Sequence, residues 1–494
     1  MISQRGKTKM RLSELLDKKL VTNISGNAEI EIEKICYDSR KAEKNSVFVC
    51  IVGFETDGHK YIESAILKGA KAIVVQNGSE FVDVPDGITV VYSDDTRKML
   101  ASMAANFFDH PEKKLKMIGV TGTNGKTTVT TLIKSILEFE KKNVGLIGTN
   151  ANYINGKILE TERTTPESYD LYELLSRMVS EGVEYVIMEV SSHSVELDRV
   201  YGIEFLVGAF TNLTQDHLDF HKTMENYKNA KKKLFLVSKN AVINTDDAAG
   251  KEYADDVSCP VYNYSIENAA TYTAKNIKIS ARGVIFDMEH DGKTHKVRLG
   301  IPGKFSVYNA LCALACVVAS GISVERAIEA LTFAKGVMGR CETVYTNTDY
   351  TVIIDYAHTP DGLENIISTV KEFCEARVIT LFGCGGDRDK TKRPIMGRIA
   401  GTLSDYCIVT SDNPRTEDPK AIIEDIMVGV NETDCEHIVI ENRREAISYA
   451  LSFAKRGDCV ILAGKGHETY QIIGKTKNHF DEREVIAEFL GEVK

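Results

Sequence analysis

This chain of 494 residues lacks both paired cysteine motifs and long apolar stretches. Its eleven cysteines are scattered and include no Cys-x-x-Cys pair, the spacing of many zinc and redox sites. The longest apolar run, residues 310–322, is too short to cross a bilayer, so we expect a buried helix and no membrane span. The first residues also lack the apolar core of a signal peptide. These absences predict a protein of the reducing cytoplasm.

An excess of basic residues is missing as well. The formal net charge of −10 argues against a general nucleic-acid binder, although local basic clusters can still bind small anions. Internal repeats and low-complexity tracts are absent. A composition with 43% hydrophobic and 27% charged residues is that of a globular protein, and the length predicts two to four domains.

Residues 119–128 are the most informative stretch, because they read as a strand, a glycine-rich turn and the start of a helix. Gly122 and Gly125 permit positive φ, so successive backbone N–H groups can wrap a phosphate at the positive end of the helix. Lys126 would reach the β- and γ-phosphates, and Thr127 would hold Mg²⁺. The usual P-loop has a glycine five positions before the Gly-Lys pair, where this chain has valine. An ordinary turn between strand and helix is the alternative.

Strand-like and helix-like segments alternate along the whole chain and predict an α/β fold with three domains. Residues 1–112 form a small α/β domain in this interpretation. Residues 113–340 form a central P-loop-type ATPase domain with a mostly parallel sheet, and residues 341–494 form a Rossmann-like domain. Ligands of such sheets bind at the carboxyl ends of the strands, where the glycine-rich turn lies.

Two polar segments follow apolar strands of the central domain. Glu189 ends one strand beside small hydroxyl residues, where it is either a Mg²⁺ ligand or a surface acid that caps the next turn. Asp216, His217, Asp219 and His221 together resemble a zinc set. We favour Mg²⁺, because an ATP site brings its own hard cation and oxygen ligands suit that ion better.

Lysines cluster in the next helical segment, residues 227–235, which is either a solvated face or part of the site. A protonated lysine beside magnesium ions would be repelled. Any lysine that entered the site would therefore have to lose its charge or become a carbamate.

A set of motifs occurs along the chain in this order: Gly-Thr-Asn-Gly-Lys-Thr at 122–127, Glu-Val-Ser-Ser-His at 189–193, Thr-Asn-Leu at 211–213 with Asp216 and His217, Asn309, Gly339 with Arg340, and Asp-Tyr-Ala-His-Thr-Pro at 355–360. Together these motifs resemble the Mur ligases of peptidoglycan synthesis, ATP-dependent enzymes that join an amino acid to a UDP-N-acetylmuramoyl peptide. The resemblance covers essentially the whole chain and its three domains. It implies a cytoplasmic ligase, a monomer, that serves cell-wall biogenesis, cell shape and cell division.

The resemblance also implies the residues that bind ATP and carry the reaction. The catalytic set is Lys126, Glu189, His217 and Lys231, and the ATP contacts are Thr121, Gly122, Thr123, Asn124, Gly125, Lys126, Thr127, Asn309, Arg340 and Asp355. Two Mg²⁺ ions would be held by Thr127, Glu189, His217 and Lys231. Lys231 matches the lysine that this family carbamylates with CO₂, and a carbamate turns a repelled cation into a metal ligand.

Further stretches resemble the branch of the family that adds the third residue of the stem peptide. The N-terminal domain would bind UDP-MurNAc, and the UDP-MurNAc-dipeptide contacts would be Ser39, Thr164, Thr165, Ser191 and Arg199. Asp-Asn-Pro-Arg at 412–415 resembles the signature of members that add meso-diaminopimelate. That amino acid would be bound in the C-terminal domain by Arg388, Asp412, Asn413, Pro414, Arg415, Gly464 and Glu468. Arginine pairs bidentately with a carboxylate, and diaminopimelate differs from lysine by one carboxylate.

The expected reaction is ATP-dependent addition of meso-diaminopimelate to UDP-MurNAc-L-Ala-D-Glu through an acyl phosphate. Three rivals remain. A lysine-adding ligase is contradicted by Arg415, and a folylpolyglutamate synthase by the motifs at 412–415 and 464–468. A catalytically silent nucleotide-binding protein would have to lack metal or substrate residues that are present here.

Overall fold

The computed structural model describes residues 9–53, 56–81, 84–159, 161, 163–334 and 336–491. The chain divides into two compact units. The first contains residues up to 243 together with 247–262, and the second contains 244–246 and the residues from 263 onward.

The first unit begins with a small sheet whose strands are mostly parallel. Its order is Val21–Ser25, Thr89–Ser93, Ala70–Gln76, Ser46–Val49 and Lys34–Cys36, and only the first pair is antiparallel. The other elements are the short strands Met10–Arg11 and Glu31–Ile32, the α-helices Leu12–Leu15, Ile62–Leu67 and Thr96–Phe107, and the 3-10 helices Ser39–Lys41, Gly58–Tyr61 and Pro111–Lys114.

A second sheet of the first unit carries the glycine-rich loop. The part of its order that begins in this unit is Lys157–Leu159, Asn152–Ile154, Val144–Ile147, Tyr185–Glu189, Lys116–Thr121, Val207–Phe210 and Ala241–Asn244. The pairings from Val144–Ile147 through Ala241–Asn244 are parallel, and the two pairings before them are antiparallel. The helices are Lys126–Phe139, Ser168–Ser180, Ser192–Glu196, Leu218–His221, Met224–Leu236 and Ala248–Asp256.

The strand Val261–Ser265 leads the chain into the second unit. Three long antiparallel strands follow, Tyr272–Ser280, Gly283–His290 and Lys293–Leu299. The helices Lys304–Ala319 and Val324–Phe333 come next. Lys304–Ala319 contains most of the long apolar run and is buried along almost its whole length, as predicted.

The last sheet of the second unit has the order Glu342–Val344, Thr351–Asp355, Cys459–Ala463, Val378–Phe382, Tyr406–Val409 and Glu436–Val439, parallel except for its first pair. Its helices are Pro360–Lys371, Lys392–Leu403, Pro419–Val430, Arg443–Phe453 and Glu482–Phe489, and Tyr470–Ile473 pairs with Thr476–His479 as a hairpin. Successive strand residues pack into separate apolar clusters, as with Ile353 and Ile354, so both faces of the sheet are covered.

The α/β fold with large, mostly parallel sheets is confirmed. Within the described residues, no helix is both long and apolar enough to cross a bilayer.

Candidate functional site

The glycine-rich loop joins the buried strand Lys116–Thr121 to the helix Lys126–Phe139. A Cβ on Gly122 would lie 1.8 Å from Thr211 Oγ1, and its φ is +149°, so only glycine fits there. Lys126 Nζ donates to the carbonyls of Gly122 and Thr123 at 2.8 and 2.9 Å. Its ammonium is thereby held against the loop backbone at the start of the helix, the end that favours anions.

The segment 211–214 braces this loop. Asn124 N–H donates to Asn212 Oδ1 at 2.9 Å, and Thr123 N–H donates to the Asn212 carbonyl at 2.8 Å. Thr211 Oγ1 donates to the Asn124 carbonyl at 2.6 Å. The sequence motif Thr-Asn-Leu at 211–213 therefore stabilises the conformation of the glycine-rich loop.

Glu189 ends the strand Tyr185–Glu189, and only 1% of its surface is exposed. The backbone of Glu189 pairs with Val120, the residue before the last one of the neighbouring strand Lys116–Thr121. Glu189 therefore lies beside the start of the glycine-rich loop. Its two carboxylate oxygens accept from the N–H and the hydroxyl of Thr149, at 2.9 and 3.0 Å. The alternative of a surface acid that caps a turn is therefore wrong.

The residues predicted to bind the dipeptide end of the nucleotide substrate lie together beside Glu189. Thr164 Oγ1 is 3.0 Å from Thr149 Oγ1, and Thr165 Oγ1 donates to the Glu189 carbonyl at 2.8 Å. Ser191 N–H donates to Thr165 Oγ1 at 3.3 Å, and Arg199 donates to the Thr165 carbonyl at 3.2 Å. Ser39 also belongs to the first unit, where it is buried in the 3-10 helix Ser39–Lys41.

Three guanidinium groups surround one buried carboxylate next to this cluster. Glu167 Oε2 lies 3.4 Å from Arg199 Nε, 3.5 Å from Arg97 and 3.8 Å from Arg163. Burial, above all, holds the pKa of Arg199 below its ordinary value. One negative charge among three positive ones leaves an excess that favours an anionic ligand.

Lys231 lies on the helix Met224–Leu236 and is 1% exposed. Its Nζ is 4.3 Å from the centroid of the Tyr227 ring, and the Tyr227 hydroxyl is 3.2 Å from Thr123 Oγ1 in the glycine-rich loop. Burial first, and the Lys126 ammonium second, hold the pKa of Lys231 well below its usual range, while Asp216 opposes them. The lowered pKa favours the neutral amine over the ammonium form.

The neighbouring lysines of that helix make surface ion pairs, as in the simpler interpretation. Lys228, Lys232 and Lys233 pair with Glu252, Asp256 and Glu196 at 2.6 to 2.7 Å.

His217 begins the short helix Leu218–His221, with a positive φ of 54°. Its Nε2 is 3.4 Å from Asp216, and its ring meets that of His193 edge-on at 4.8 Å. His221 is buried, with Nε2 2.8 Å from Ser192 Oγ, and the side chain of Asp219 lies outside the described residues. Among the side chains described, no three from His, Cys, Asp and Glu are grouped so that they could hold a metal ion.

The second unit contains the other predicted ATP residues. Asp355 ends the strand Thr351–Asp355 and accepts from the N–H groups of Cys341 and Ala357 at 2.6 and 2.8 Å. Burial raises the pKa of Asp355, and the Arg340 guanidinium opposes that shift. Arg340 lies over the Tyr356 ring at 5.1 Å, and Asn309 is buried in the helix Lys304–Ala319.

Three loops that were predicted to bind the amino acid meet in the second unit, because they follow adjacent strands of one parallel sheet. The loops 383–388, 411–415 and 464–468 follow Val378–Phe382, Tyr406–Val409 and Cys459–Ala463. Gly386 N–H donates to the Asn413 carbonyl at 2.9 Å, and a Cβ on Gly386 would lie 1.9 Å from the Pro414 carbonyl oxygen. A Cβ on Gly464 would lie 2.6 Å from Asp412 Oδ2. The loops therefore form one continuous surface.

Several polar side chains of these loops make hydrogen bonds to one another or to the loop backbone. Arg415 has a φ of 51°, and its guanidinium donates to the Gly386 carbonyl at 2.8 Å. Asn413 Nδ2 donates to Glu468 Oε2 at 2.9 Å. Arg388 is exposed, and its guanidinium donates to the adjacent Asp387 carbonyl at 3.4 Å.

Three sequence families match the chain in order: the catalytic domain of the Mur ligase family over residues 31–108, the Mur ligase middle domain over 120–317, and the glutamate ligase domain of Mur ligases over 339–466. The chain belongs to the Mur ligase family. It is therefore an ATP-dependent, amide-forming ligase of peptidoglycan synthesis, a family that in general uses Mg²⁺.

Close relatives of this Mur ligase carry one name. The UDP-N-acetylmuramoyl-L-alanyl-D-glutamate–2,6-diaminopimelate ligase of Clostridium tetani is 50% identical over 98% of this chain and 100% of its own length. The corresponding ligase 1 of Clostridium acetobutylicum is 49% identical over the same shares. A solved structure of a ligase with this name is 29% identical, with a TM-score of 0.70, and covers 98% of this chain and 99% of its own.

Several residues of the Mur ligase site escaped the sequence analysis. Thr149 follows the strand Val144–Ile147, and Tyr227 lies one helical turn before Lys231. Their positions in the sequence could therefore have marked both as site candidates. Arg97 and Glu167 had none, since only the tertiary structure brings them to Arg199.

Proposed function

We propose that this Mur ligase joins meso-diaminopimelate to UDP-MurNAc-L-Ala-D-Glu, consuming ATP through an acyl-phosphate intermediate. The names of relatives that are 49 to 50% identical over 98% of the chain support this reaction. The observation that carries it is Arg415, whose guanidinium is anchored at Gly386 beside the Asn413–Glu468 pair.

The first step needs positively charged groups close to the γ-phosphoryl group of ATP. The γ-carboxylate of D-glutamate attacks that group, and Lys126, held over the loop by two carbonyls, would stabilise the transferred charge. Bound Mg²⁺ would supply further charge at the phosphates. The buried carboxylate of Glu189, the hydroxyl of Thr127 and the imidazole of His217 are suitable ligands.

Lys231 fits this charge requirement as a carbamate. Its neutral amine can attack CO₂, which forms an N–C bond and releases one proton, and the product is an anion. The low pKa of Lys231 favours the neutral amine that this step needs, and its burial protects the carbamate from solvent. A carbamate also removes the repulsion between Lys126 and Lys231.

The second step requires a diamino acid at the loops of the second unit. Its amine would attack the acyl phosphate, which releases phosphate and forms the amide. Arg415 and Arg388 supply guanidinium groups for a carboxylate, and Glu468 supplies an acceptor for an ammonium. Lysine lacks the second carboxylate, so Arg415 would have no carboxylate partner and binding would lose about 1 to 3 kcal/mol.

The UDP-MurNAc-dipeptide contacts that we propose are Ser39, Thr164, Thr165, Ser191 and Arg199. The excess positive charge around Glu167 supports an anionic ligand here. We propose the domain bounds 1–112, 113–340 and 341–494, with UDP-MurNAc bound by the first domain, ATP by the second and the amino acid by the third. Since ATP and UDP-linked precursors are cytoplasmic, we assign the enzyme to the cytoplasm, as a monomer.

A phosphate-release assay with UDP-MurNAc-dipeptide and ATP, run in parallel with meso-diaminopimelate, lysine and ornithine, tests the proposal. We expect kcat/KM for diaminopimelate to exceed that for lysine by about 10- to 100-fold. Preference for lysine would identify a lysine-adding ligase. Turnover of a folate with glutamate, and of none of the three diamino acids, would identify a folylpolyglutamate synthase.

A further inference from the structure

Lys465 is a lysine without exposed side-chain surface, in the loop that follows the strand Cys459–Ala463. Burial of an ammonium group is costly unless charged and polar partners compensate it. Lys465 has such partners: its Nζ donates to Glu468 Oε2 at 3.1 Å and to Asn413 Oδ1 at 3.2 Å. The same Nζ lies 5.7 Å from the centroid of the Tyr470 ring and 6.0 Å from that of Phe480.

The contact with Lys465 decides the orientation of the Asn413 amide. Oδ1 of Asn413 accepts from Lys465 and also from the N–H of Ile472, at 2.9 Å. An ammonium group can only donate, so the amide oxygen must face it. The amide nitrogen then points to Glu468 Oε2, which it reaches at 2.9 Å.

The same contact makes the two oxygens of the Glu468 carboxylate unequal. Oε2 accepts from both Lys465 and Asn413. Oε1 accepts from the Tyr470 hydroxyl at the longer distance of 3.4 Å. Lys465 therefore holds one oxygen, while the other makes a weaker contact and has capacity to accept from a further donor.

We propose that Lys465 is a positioning residue for the amino-acid substrate, which presents Glu468 Oε1 to the ammonium group of that substrate and holds the Asn413 amide. This inference rests on the proposed function, because it assigns the loops of the second unit to a diamino acid. Lys465 does not touch the substrate. It acts through Glu468 and Asn413. Its loss therefore changes the affinity for the amino acid and leaves the KM for ATP unchanged.

The variant Lys465→Met removes the charge and both hydrogen bonds of Lys465 while keeping a side chain of similar length. We expect KM for meso-diaminopimelate to rise about 10- to 100-fold, because hydrogen bonds to a charged group are lost. KM for ATP and for UDP-MurNAc-dipeptide should change less than twofold. The matched control is Lys477→Met, since Lys477 lies over the same Tyr470 ring at 3.7 Å but is exposed and contacts neither Asn413 nor Glu468.

A double-mutant cycle separates positioning from a general loss of structure. In a Glu468→Gln background, Lys465→Met should raise KM for diaminopimelate by a smaller factor than in the wild-type background, because the part of its effect that passes through the carboxylate is already lost and only the part through Asn413 remains. Equal effects in both backgrounds would overturn the proposal. If Lys465→Met does not fold, Lys465→Gln keeps one donor and should raise the same KM about three- to tenfold, and an unchanged KM there would also overturn it.

The wild-type enzyme distinguishes this inference from the proposed function. Absence of diaminopimelate turnover by the wild type would reject the function itself. Wild-type turnover with an unchanged KM in the Lys465 variants would reject only the positioning role.

Discussion

Lys231 Nζ lies 4.3 Å from the centroid of the Tyr227 ring, one helical turn earlier on the same buried helix face. Tyr227 in turn reaches Thr123 of the glycine-rich loop through its hydroxyl. One aromatic side chain thus joins the lysine proposed to become a carbamate to the loop proposed to bind phosphate.

Lys231→Ala should abolish turnover, because the enzyme loses the proposed carbamate. Added short-chain carboxylates should restore part of the activity, as measured by phosphate release. Lys232→Ala is the control, since Lys232 pairs with Asp256 at the surface. Full activity of the unrescued Lys231→Ala variant would remove the carbamate from the mechanism.

Tyr227→Phe should keep the ring that faces Lys231 and lose only the hydroxyl contact with the loop. A neutral hydrogen bond contributes about 0.5 to 1.5 kcal/mol, so we expect KM for ATP to rise about two- to tenfold while carboxylate rescue of Lys231→Ala is unaffected. Steady-state kinetics with varied ATP measure this. An unchanged KM for ATP would show that the contact with Thr123 does not support the loop.

Arg415→Ala should raise KM for meso-diaminopimelate about 10- to 100-fold and KM for ATP less than threefold, because the guanidinium serves the extra carboxylate. Arg398→Ala is the control, since Arg398 pairs with Glu432 on the surface. Equal increases in both KM values would contradict the specificity role.

Gly122→Ala should abolish ATP-dependent turnover, since the new methyl group overlaps Thr211 Oγ1 and the φ is unfavourable for alanine. We expect a lower melting temperature together with the loss of nucleotide binding in calorimetry. Gly300→Ala is the matched substitution, because a Cβ there meets no atom within 4 Å. Retained nucleotide binding by Gly122→Ala would show that the loop can relax.

Glu417 should make stability depend on acidity through its ion pair with Arg393. The Arg393 guanidinium, first, and the N–H of Asp387 lower the pKa of Glu417 from 4.5 to about 2. A lowered folded-state pKa stabilises the fold fully above about pH 4.5, and this contribution is lost as the pH falls toward 2. In urea denaturation, the free energy of unfolding of the wild type should exceed that of Glu417→Gln above pH 5. The two free energies should converge as the pH falls. A difference independent of pH would contradict the ion pair as its source.

Local patterns were sufficient for much of the fold. The strands Val378–Phe382 and Cys459–Ala463 and the helix Ser168–Ser180 end where apolar runs or amphipathic periods of the sequence give way to polar or glycine residues. Other elements are harder to recognise: the strand Lys293–Leu299 is largely polar and exposed, so its sequence resembles that of a loop.

The sequence by itself determined the family, the α/β class and the loop at 122–127, because glycine spacing and apolar periods are local properties of a chain. Only the tertiary structure decided that Thr149 holds Glu189, that Tyr227 reaches Thr123 from 104 positions away, and that Lys465 orients Asn413 from 52 positions away. These contacts depend on which strand ends lie side by side in the sheets. Neighbouring strands in a parallel sheet come from distant parts of the chain, and no local pattern reports them.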